Sequence, residues 1–182
     1  DKVALVTGGR SGIGYGIAEH FLKLGAKVII CARKEEPLAK AAAKLSELGT
    51  CVHLTCDIRE SDQVEALADL IEAEFGRLDI LVNNAGMVKA GNPENQTTEE
   101  YRLTMAVHAD GVFFGCKAAI PYMRKSGSGV IINTASASGL AADYGFTAYN
   151  AAKGAVINYT RAVAIDHARE GIRVNSLCPG PV

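Results

Sequence analysis

Short apolar segments alternate along this chain with longer segments of helical character, and this rhythm limits the folds open to it. Six segments are predicted to be strands: "KVALVTGG", "AKVIICAR", "CVHLTCDI", "LDILVNNAG", "GVIINTAS" and "IRVNSLCPG". They are almost continuously apolar, which is typical of parallel strands that are covered on both faces. Five helices are predicted between them, at roughly 11–24, 36–48, 61–75, 98–125 and 147–169. The pattern predicts an α/β fold, a doubly wound parallel sheet with helices on both faces.

Length and composition narrow the class of protein further. With 182 residues, 48% of them apolar, and a net charge of -1, the chain is expected to form a single domain over 1–182. There is no basic excess for binding nucleic acid, and no apolar run reaches the roughly 18 residues of a membrane span. The five cysteines are odd in number and scattered, as is typical of free thiols in a reducing compartment. We therefore expect a cytoplasmic protein with no nucleic-acid or membrane partner.

The segment "TGGRSGIG" follows the first strand and opens the first helix. Its glycines, Gly8, Gly9, Gly12 and Gly14, lie where backbone amides and a helix dipole can meet a pyrophosphate. The spacing departs from G-x-G-x-x-G because Ile17 occupies the place of the last glycine, and no lysine follows to form a nucleoside-triphosphate loop. Taken alone, the segment could equally be a tight turn that needs positive φ angles.

Tyr149 and Lys153 are four residues apart in an alanine-rich helix, so they share one face about one turn apart. A free phenol has a pKa of about 10, and a cation one turn away favours its ionised form. Lys153 would therefore make Tyr149 a usable proton donor and acceptor near neutral pH. Ser136 ends the fifth strand, where its hydroxyl could polarise a substrate oxygen. Without further motifs, Tyr149 and Lys153 would be an ordinary solvent-exposed pair on a helix, and Ser136 a turn residue at a strand end.

Five motifs occur together in one order along the chain. They are T-G-x-x-x-G-x-G at Thr7 to Gly14, "NNAG" at Asn83 to Gly86, Ser136, Y-x-x-x-K at Tyr149 and Lys153, and "PG" at Pro179 and Gly180. Together they resemble the short-chain dehydrogenase/reductase family. The resemblance implies a Rossmann-type fold and hydride transfer between a nicotinamide dinucleotide and a carbonyl or secondary alcohol. It also implies residue roles, with Lys153 contacting the nicotinamide ribose and Asp57 the adenine.

The resemblance, together with the charges after the second strand and the composition of the loops, gives three groups of expected site residues. The catalytic group is Ser136, Tyr149, Lys153 and His108. The cofactor-binding group is Gly8, Arg10, Ser11, Gly12, Ile13, Gly14, Arg33, Asp57, Ile58, Asn84, Ala85, Gly86, Tyr149, Lys153, Pro179 and Gly180. The substrate-binding group is Ser136, Ser138, Tyr144 and Tyr149.

The end of the second strand bears on the choice of cofactor. An enzyme that prefers NAD usually carries an acidic residue there, which binds the ribose 2′-hydroxyl. This chain has Ala32 at that place and Arg33 next to it, so a guanidinium is available for a 2′-phosphate. We expect NADP(H) to be preferred, with NAD(H) as the other candidate cofactor. Arg10 adds to the same positive field or is solvated, and Arg33 could also be a plain surface arginine.

Two features depart from the family pattern. The fourth helix has His108 where the family has an asparagine that helps to hold a water in the proton relay. Because histidine titrates near neutral pH, we expect an altered relay and a rate that is more sensitive to pH; the alternative is a packed helical histidine. The sequence also ends at Val182, directly after the "PGP" turn. We therefore expect a C-terminally truncated domain that lacks the family's lid, further strand and last helix.

Three hypotheses follow from these patterns. The first is a carbonyl reductase or secondary-alcohol dehydrogenase, the second a dinucleotide-binding sensor or scaffold without turnover, and the third an inactive fragment of an enzyme. The loops "MVKAGNPENQTT" and "ASGLAADYGFT" favour an uncharged, partly apolar substrate. No metal is expected because Cys51, His53 and Cys56 lack zinc-site spacing, and no G-x-S-x-G segment indicates a serine hydrolase.

The helices at roughly 98–125 and 147–169 are also expected to contact a second subunit. They carry apolar residues on more than one face, including Val112, Phe113, Ile157 and Val163. That is more apolar surface than one contact with the sheet requires. The expected partner is a second copy of the chain, in a homodimer or homotetramer.

Overall fold

A computed structural model describes residues 2–181. Six parallel strands form one sheet in the order β3-β2-β1-β4-β5-β6. The strands are β1 Val3–Thr7, β2 Lys27–Ala32, β3 Cys51–Thr55, β4 Ile80–Asn83, β5 Gly129–Thr134 and β6 Ile172–Leu177. The predicted doubly wound sheet is confirmed, and its strand order reverses direction between β1 and β4.

Helices connect the strands. They are α1 Gly12–Lys23, α2 Glu35–Leu45, α3 Ser61–Phe75, α4 Thr98–Met105, α5 Gly111–Ser126 and α6 Thr147–His167. A π-helical turn, Ala106–Asp110, joins α4 to α5, so the predicted fourth helix is one continuous segment with a wider turn in its middle. Short 3₁₀ turns occupy Ala137–Gly139 and Ala168–Glu170.

The start of α3 differs from the expected capping. Serine is a favoured N-cap residue, so the sequence indicates Ser61 as a plausible N-cap of α3, but Glu60 holds that position and Ser61 is the first helical residue. The Ser61 hydroxyl instead donates to the Glu65 carboxylate at 3.1 Å, one turn further along the helix. A capping box lies at α4, where Thr97 and Glu100 bond to each other's backbone amides.

Each face of the sheet packs into its own apolar core. On one face, Leu5 of β1 packs with residues from α3, α5 and α6, and on the other its neighbour Val6 packs with residues from α1 and α2. Ile29 and Ile30 of β2 divide between the two cores in the same way, and both are fully buried. Burying each side chain of this size contributes roughly 1.5–3 kcal/mol, which explains why the strands are continuously apolar.

The apolar residues that we expected to face a second subunit are mostly core residues. Val112, Ile157 and Val163 are buried within the chain's own core, so they do not support the expected contact. Phe113 is the exception: it is 46% exposed and meets the ring of Tyr159 at 6.2 Å between centroids. The core between α5, α6 and the sheet is wide enough to cover more than one face of each helix.

The continuous segment Thr98–Ser126 is long and apolar enough to cross a membrane by length and composition. Half of its apolar window is nevertheless buried inside the protein, as in the core helix of a globular fold. Its outer side is joined to α3 by ion pairs from Lys117 to Glu65 and from Lys125 to Glu72. The segment is therefore weak support for a membrane span.

All six strands run in one direction, so their carboxyl ends lie along one edge of the sheet. The glycine turn follows β1, the "NNAG" motif closes β4, Ser136 follows β5 and the "PG" turn follows β6 at this edge, and the Tyr149 and Lys153 pair lies on the first turns of α6. In open α/β sheets, ligands bind at this edge, next to the point where the strand order reverses. Val182, on which the expectation of a truncated domain rests, lies outside the described residues.

Candidate active site

A cleft of about 440 Å³ runs along the carboxyl edge of the sheet. Sixteen of the predicted site residues line it: Gly8, Arg10, Ser11, Ile13, Arg33, Asp57, Ile58, Asn84, Ala85, Gly86, His108, Ser136, Tyr149, Lys153, Pro179 and Gly180. Gly12, Gly14, Ser138 and Tyr144 do not line it. The walls also include residues that sequence reasoning did not assign to the site, of which Lys34, Arg59, Met87 and Thr134 carry the arguments below.

The glycine turn has the shape of a cradle for a phosphate group. Gly12 has a φ of 57°, and a Cβ added there would meet no atom within 4 Å, so the space beside it is open. A Cβ on Gly14 would instead lie 2.6 Å from the Gly8 carbonyl oxygen, so that glycine allows close packing of the turn. Because the Ser11 side chain makes no capping bond, the first amides of α1 remain available for an anion. These residues fit a dinucleotide pyrophosphate.

The "NNAG" motif fastens the end of β4 to the end of β1. The Thr7 hydroxyl accepts hydrogen bonds from the backbone amides of Asn84 and Ala85, each at 2.9 Å. In return, Asn84 Nδ2 donates to the Thr7 carbonyl oxygen at 3.0 Å. These contacts join the loop after β4 to the glycine turn at one wall of the cleft.

Asn83, the first residue of that motif, has a structural role inside the core. Its Nδ2 donates to Asn133 Oδ1 at 2.9 Å, and Asn133 Nδ2 donates to the Thr160 hydroxyl at 2.9 Å. The three side chains are buried and connect β4, β5 and α6. This network holds α6 in register with the sheet. Sequence reasoning missed Asn133 and Thr160, whose only signal was polarity within apolar segments.

Tyr149 and Lys153 lie on the first two turns of α6, as their spacing predicts. The Lys153 Nζ atom is 5.6 Å from the centre of the Tyr149 ring and donates to the Thr134 carbonyl oxygen at 2.6 Å. Burial lowers the pKa of Lys153 to about 8, while the nearby Cys178 thiol acts in the opposite direction. The amine therefore remains mostly charged at pH 7, although it is only 4% exposed.

Ser136 follows β5 and faces the same part of the cleft. Its hydroxyl donates to Ser138 Oγ at 3.1 Å and accepts from the Ser138 backbone amide at 3.2 Å. The Ser138 hydroxyl in turn donates to the Asp143 carboxylate. This chain of bonds orients the Ser136 side chain, so Ser138 acts behind Ser136, outside the cleft wall.

His108 lies in the π-helical turn and is 2% exposed. Its Nε2 bonds to the Met87 carbonyl oxygen at 2.7 Å, and its ring lies edge-on to the ring of Tyr149. Burial and the nearby Lys153 charge lower the pKa of His108 to about 4, although the Met87 bond acts in the opposite direction. The expectation that this histidine titrates near neutral pH is wrong, because the folded protein keeps it neutral there.

Gly86 explains how an imidazole fits at this position. A Cβ on Gly86 would lie 2.9 Å from His108 Cε1, so the ring packs directly on the backbone of the "NNAG" motif. The π-helical turn widens the helix at this place, and such turns often occur at functional sites. The sequence predicts the position of His108 in the helix but carries no signal for the wider turn.

The other end of the cleft carries a cluster of charges. Ala32, Arg33 and Lys34 come from the end of β2, and Asp57 and Arg59 from the loop after β3. Within residues 2–181, Arg33 forms no ion pair, whereas Asp57 and Arg59 bind each other closely. The Arg59 hydrogen bonds hold the pKa of Asp57 below its ordinary value, and the charge of Arg33 adds to this effect.

The substrate side of the cleft is less defined. Tyr144 is 99% exposed and lies outside the cleft wall. It belongs to a loop that is bound to the loop after β4, because Gly91 N donates to the Gly145 carbonyl oxygen at 2.7 Å and Thr147 N to that of Gly91 at 3.0 Å. The expected roles of Tyr144 and Ser138 toward a substrate remain predictions.

Cys51, His53 and Cys56, which lie close together in the sequence, have separate surroundings in the structure. His53 Nε2 pairs with Glu35 at 2.9 Å, and Cys56 is buried beside the cleft. Across residues 2–181, no three side chains of His, Cys, Asp or Glu come together as a metal site requires.

The sheet order, the glycine turn at a helix N-terminus and the cleft at the switch point together define a Rossmann-type, dinucleotide-binding fold. Residues 2–182 match the family described as short chain dehydrogenase, and the chain belongs to that family. This confirms the resemblance that the motifs carried and the prediction of an enzyme of the dehydrogenase class.

Two curated relatives illustrate the family. The chain is 40% identical to a meso-2,3-butanediol dehydrogenase of Serratia marcescens over 182 residues, which cover 100% of this chain and 72% of the relative. It is also 40% identical to an NADP-dependent (R)-specific alcohol dehydrogenase of Lentilactobacillus kefiri, with 98% of this chain and 72% of the relative covered.

Solved structures give the same result. A variant of actinorhodin polyketide ketoreductase with NADPH superimposes with a TM-score of 0.97 at 37% identity, covering 100% of this chain and 71% of that chain. An NAD+-bound xylitol dehydrogenase superimposes with a TM-score of 0.96 at 31% identity, covering 98% and 70%. Because one neighbour holds NADPH and the other NAD+, a nicotinamide dinucleotide is supported without a preference between the two.

Proposed function

We propose that this chain is an NADP(H)-dependent oxidoreductase that interconverts a ketone and a secondary alcohol, with Ser136, Tyr149 and Lys153 as its catalytic residues. The observation that carries the proposal is the position of the Lys153 ammonium, 5.6 Å from the Tyr149 ring and inside the cleft. Burying a cation beside a phenol costs stability, and an apolar side chain would pack there at a lower cost. The lysine is therefore better explained by a function than by packing.

The cofactor would lie along the cleft from Arg33 to Lys153. The glycine turn would hold the pyrophosphate, and Asp57 and Ile58 the adenine. Asn84 to Gly86, together with Pro179 and Gly180, would line the nicotinamide end. Lys153 would also bind the nicotinamide ribose. When bound, the nicotinamide supplies or accepts the hydride at the reacting carbon.

Tyr149 would transfer the proton at the reacting oxygen. As charge develops on that oxygen, the phenol donates its proton, and the Lys153 ammonium stabilises the phenolate that remains. The Ser136 hydroxyl would hold the same oxygen by a hydrogen bond. Such a positioned acid contributes about 10²–10⁴-fold to a rate.

His108 would take part in the relay as a neutral group. With Nε2–H donated to the Met87 carbonyl oxygen, Nδ1 is left as an acceptor. A neutral imidazole can accept a hydrogen bond from a relay water without becoming charged, so proton passage would not depend on its titration. This replaces the pH-sensitive relay expected from the sequence.

The preference for NADP(H) rests on the charges at the adenosine end. Ala32 offers no carboxylate to repel a 2′-phosphate, and Arg33 and Lys34 are cations in the same wall. Arg10 in the glycine turn adds to the positive field. NAD(H) would bind more weakly because it offers these cations no phosphate.

The substrate class and assembly are part of the same proposal. An uncharged, partly apolar ketone or alcohol fits the loops after β4 and β5, because the loop after β5 is poor in charge and carries Tyr144 and Phe146. We propose that the protein assembles as a homodimer or homotetramer and works in the cytoplasm.

The test is a nicotinamide-absorbance assay of the intact protein with a panel of ketones and NADPH, and of alcohols with NADP+. Turnover of at least one substrate that is lost in Tyr149→Phe is expected. NADPH binding without turnover of any panel member would instead support a dinucleotide-binding sensor. Absence of NADPH and NADH binding would overturn both functions.

A further inference from the structure

Arg59 makes the most extensive ion pair in the wall of the cleft. Its Nε lies 2.9 Å from Asp57 Oδ1 and 3.1 Å from Oδ2, and its Nη2 lies 2.5 Å from Oδ2. The Arg59 backbone amide also donates to Asp57 Oδ1 at 3.1 Å. The carboxylate is thus held in a planar fork, a geometry that orients both partners and that is stronger than a single contact.

The pair lies beside the residues proposed to recognise the cofactor's 2′ position. Asp57, Arg59, Ala32, Arg33 and Lys34 all line the same end of the cleft. The charge of Arg33 also helps to hold the pKa of Asp57 below its ordinary value, after the larger effect of the Arg59 hydrogen bonds. Without Arg59, the Asp57 carboxylate would be an unpaired negative charge next to the proposed phosphate site.

An unpaired Asp57 would oppose phosphate binding in two ways. It would repel the 2′-phosphate directly, and it would attract Arg33 away from it. At a partly exposed site, charges several ångströms apart interact by about 1 kcal/mol, a roughly fivefold change in affinity. NADH carries no 2′-phosphate and would not be subject to this effect.

We propose that Arg59 is a positioning residue for cofactor choice: by pairing with Asp57, it keeps that carboxylate from the 2′-phosphate and leaves Arg33 free to bind NADP(H). The inference rests on the proposed NADP(H) preference and adds a second determinant to it. Arg59 acts through Asp57 and does not itself contact the phosphate.

The loop that carries the pair has other supports. Gln63 Oε1 accepts from the Asp57 backbone amide at 2.9 Å, and the Glu60 amide donates to the Asp57 carbonyl oxygen at 3.0 Å. Since neither bond uses the Arg59 side chain, the loop should keep its shape when that side chain is shortened. Substitution of Arg59 therefore tests the effect of its charge on cofactor binding and should not unfold the loop.

The experiment is a double-mutant cycle read by titration with NADPH and with NADH. The proteins are the parent, Arg59→Gln, Asp57→Asn and the double variant, with Arg59→Lys as a conservative replacement. Arg173→Gln is the charge-matched control because Arg173 is exposed on β6, opposite Val130, away from the cleft. Thermal unfolding reports whether each variant is folded.

We expect Arg59→Gln to weaken NADPH binding by roughly three- to tenfold and NADH binding by less than about twofold. In the Asp57→Asn background, Arg59→Gln should have no further effect, because the charge that it shields is gone. Arg59→Lys should recover most of the NADPH affinity, and Arg173→Gln should match the parent.

Other outcomes overturn the proposal in distinct ways. An equal loss of NADPH affinity in both backgrounds would mean that Arg59 contacts the phosphate itself. An equal loss for NADPH and NADH would mean that Arg59 only supports the loop. If the parent prefers NADPH and Arg59→Gln binds like the parent, this inference alone fails. A parent that prefers NADH overturns the proposed cofactor preference and this inference with it.

Discussion

The imidazole of His108 meets the ring of Tyr149 edge-on, with the ring centres 5.3 Å apart and the planes at 85°. This arrangement is favourable for two aromatic rings, and it holds the phenol beside the helix that carries the π-helical turn. An asparagine would not provide such a contact. The substitution of the family's asparagine by His108 therefore changes packing around Tyr149 as well as the chemistry of the relay.

Burial of a neutral His108 should make stability depend on pH. Because its folded pKa of about 4 is below the ordinary value of 6.5, the unfolded chain binds more protons between these values, and stability falls as pH falls through them. We expect the free energy of unfolding to drop by about 2 kcal/mol more in the parent than in His108→Asn between about pH 7.5 and about pH 5. Denaturant titrations at both pH values measure this, with His20→Asn as the exposed control. An equal drop in parent and His108→Asn would contradict it.

Tyr149→Phe should abolish turnover and leave cofactor binding nearly unchanged, because the phenol acts on the substrate oxygen and not on the dinucleotide. The expected loss of kcat is about 10²–10⁴-fold, with NADPH affinity within about threefold of the parent. Steady-state assays and cofactor titrations measure the two quantities. Tyr101→Phe, on the exposed side of α4, is the control and should behave as the parent. A Tyr149→Phe rate within about tenfold of the parent would remove the phenol from the mechanism.

The charge of Lys153 should determine the pH above which kcat/KM for NADPH falls. Its pKa of about 8 means that the ammonium is present at neutral pH and is lost as pH rises above that value. We expect kcat/KM for NADPH to fall above about pH 8 and expect Lys153→Arg to move this fall upward by more than one pH unit, because arginine stays charged.

Lys153→Ala is the matched deletion. It should lose both rate and cofactor affinity, since the ammonium is proposed to serve the phenol and the ribose. Cofactor binding equal to that of the parent, together with an unchanged pH profile in Lys153→Arg, would show that Lys153 is not the tuning cation.

Cofactor preference can be reversed in part at two adjacent residues. Arg33→Ala should weaken NADPH binding by roughly ten- to hundredfold, the value of one lost charge-assisted contact, and leave NADH binding nearly unchanged. Ala32→Asp should repel the 2′-phosphate and offer the ribose 2′-hydroxyl a partner, so NADH should become the preferred cofactor. Paired titrations measure both effects. Equal weakening of both cofactors in Arg33→Ala would make Arg33 a surface arginine.

The intact protein is predicted to be a dimer or tetramer at micromolar concentration. Phe113 on α5 and Ile165 on α6 are 46% and 77% exposed, and both are apolar side chains on the helices expected to pair. Light scattering after size exclusion gives the mass. Phe113→Glu should shift the protein toward monomer, whereas Leu24→Glu, at the exposed end of α1, should not. A monomeric mass for the parent would contradict the prediction.

The sequence predicted the residues proposed for catalysis better than the residues that position them. The spacing of Tyr149 and Lys153 and the place of Ser136 after β5 follow from local periodicity, so the structure brings them into one cleft as expected. Arg59 was missed because its partner Asp57 is known only once the loop after β3 has folded back on itself. The oligomer argument from Val112 and Val163 failed because periodicity indicates that a helix face is apolar, not which neighbour covers it.

What the sequence determined by itself is the order of strands and helices, the parallel sheet and the family. These depend on short-range patterns, namely continuous apolar runs, helical spacing and glycines at a strand end, whose physical cause lies within a few residues. Only the tertiary structure decided the ionisation of His108 and Lys153. A pKa depends on how much water and which charges surround a group, and those surroundings come from segments as distant in sequence as Met87, Thr134 and Cys178.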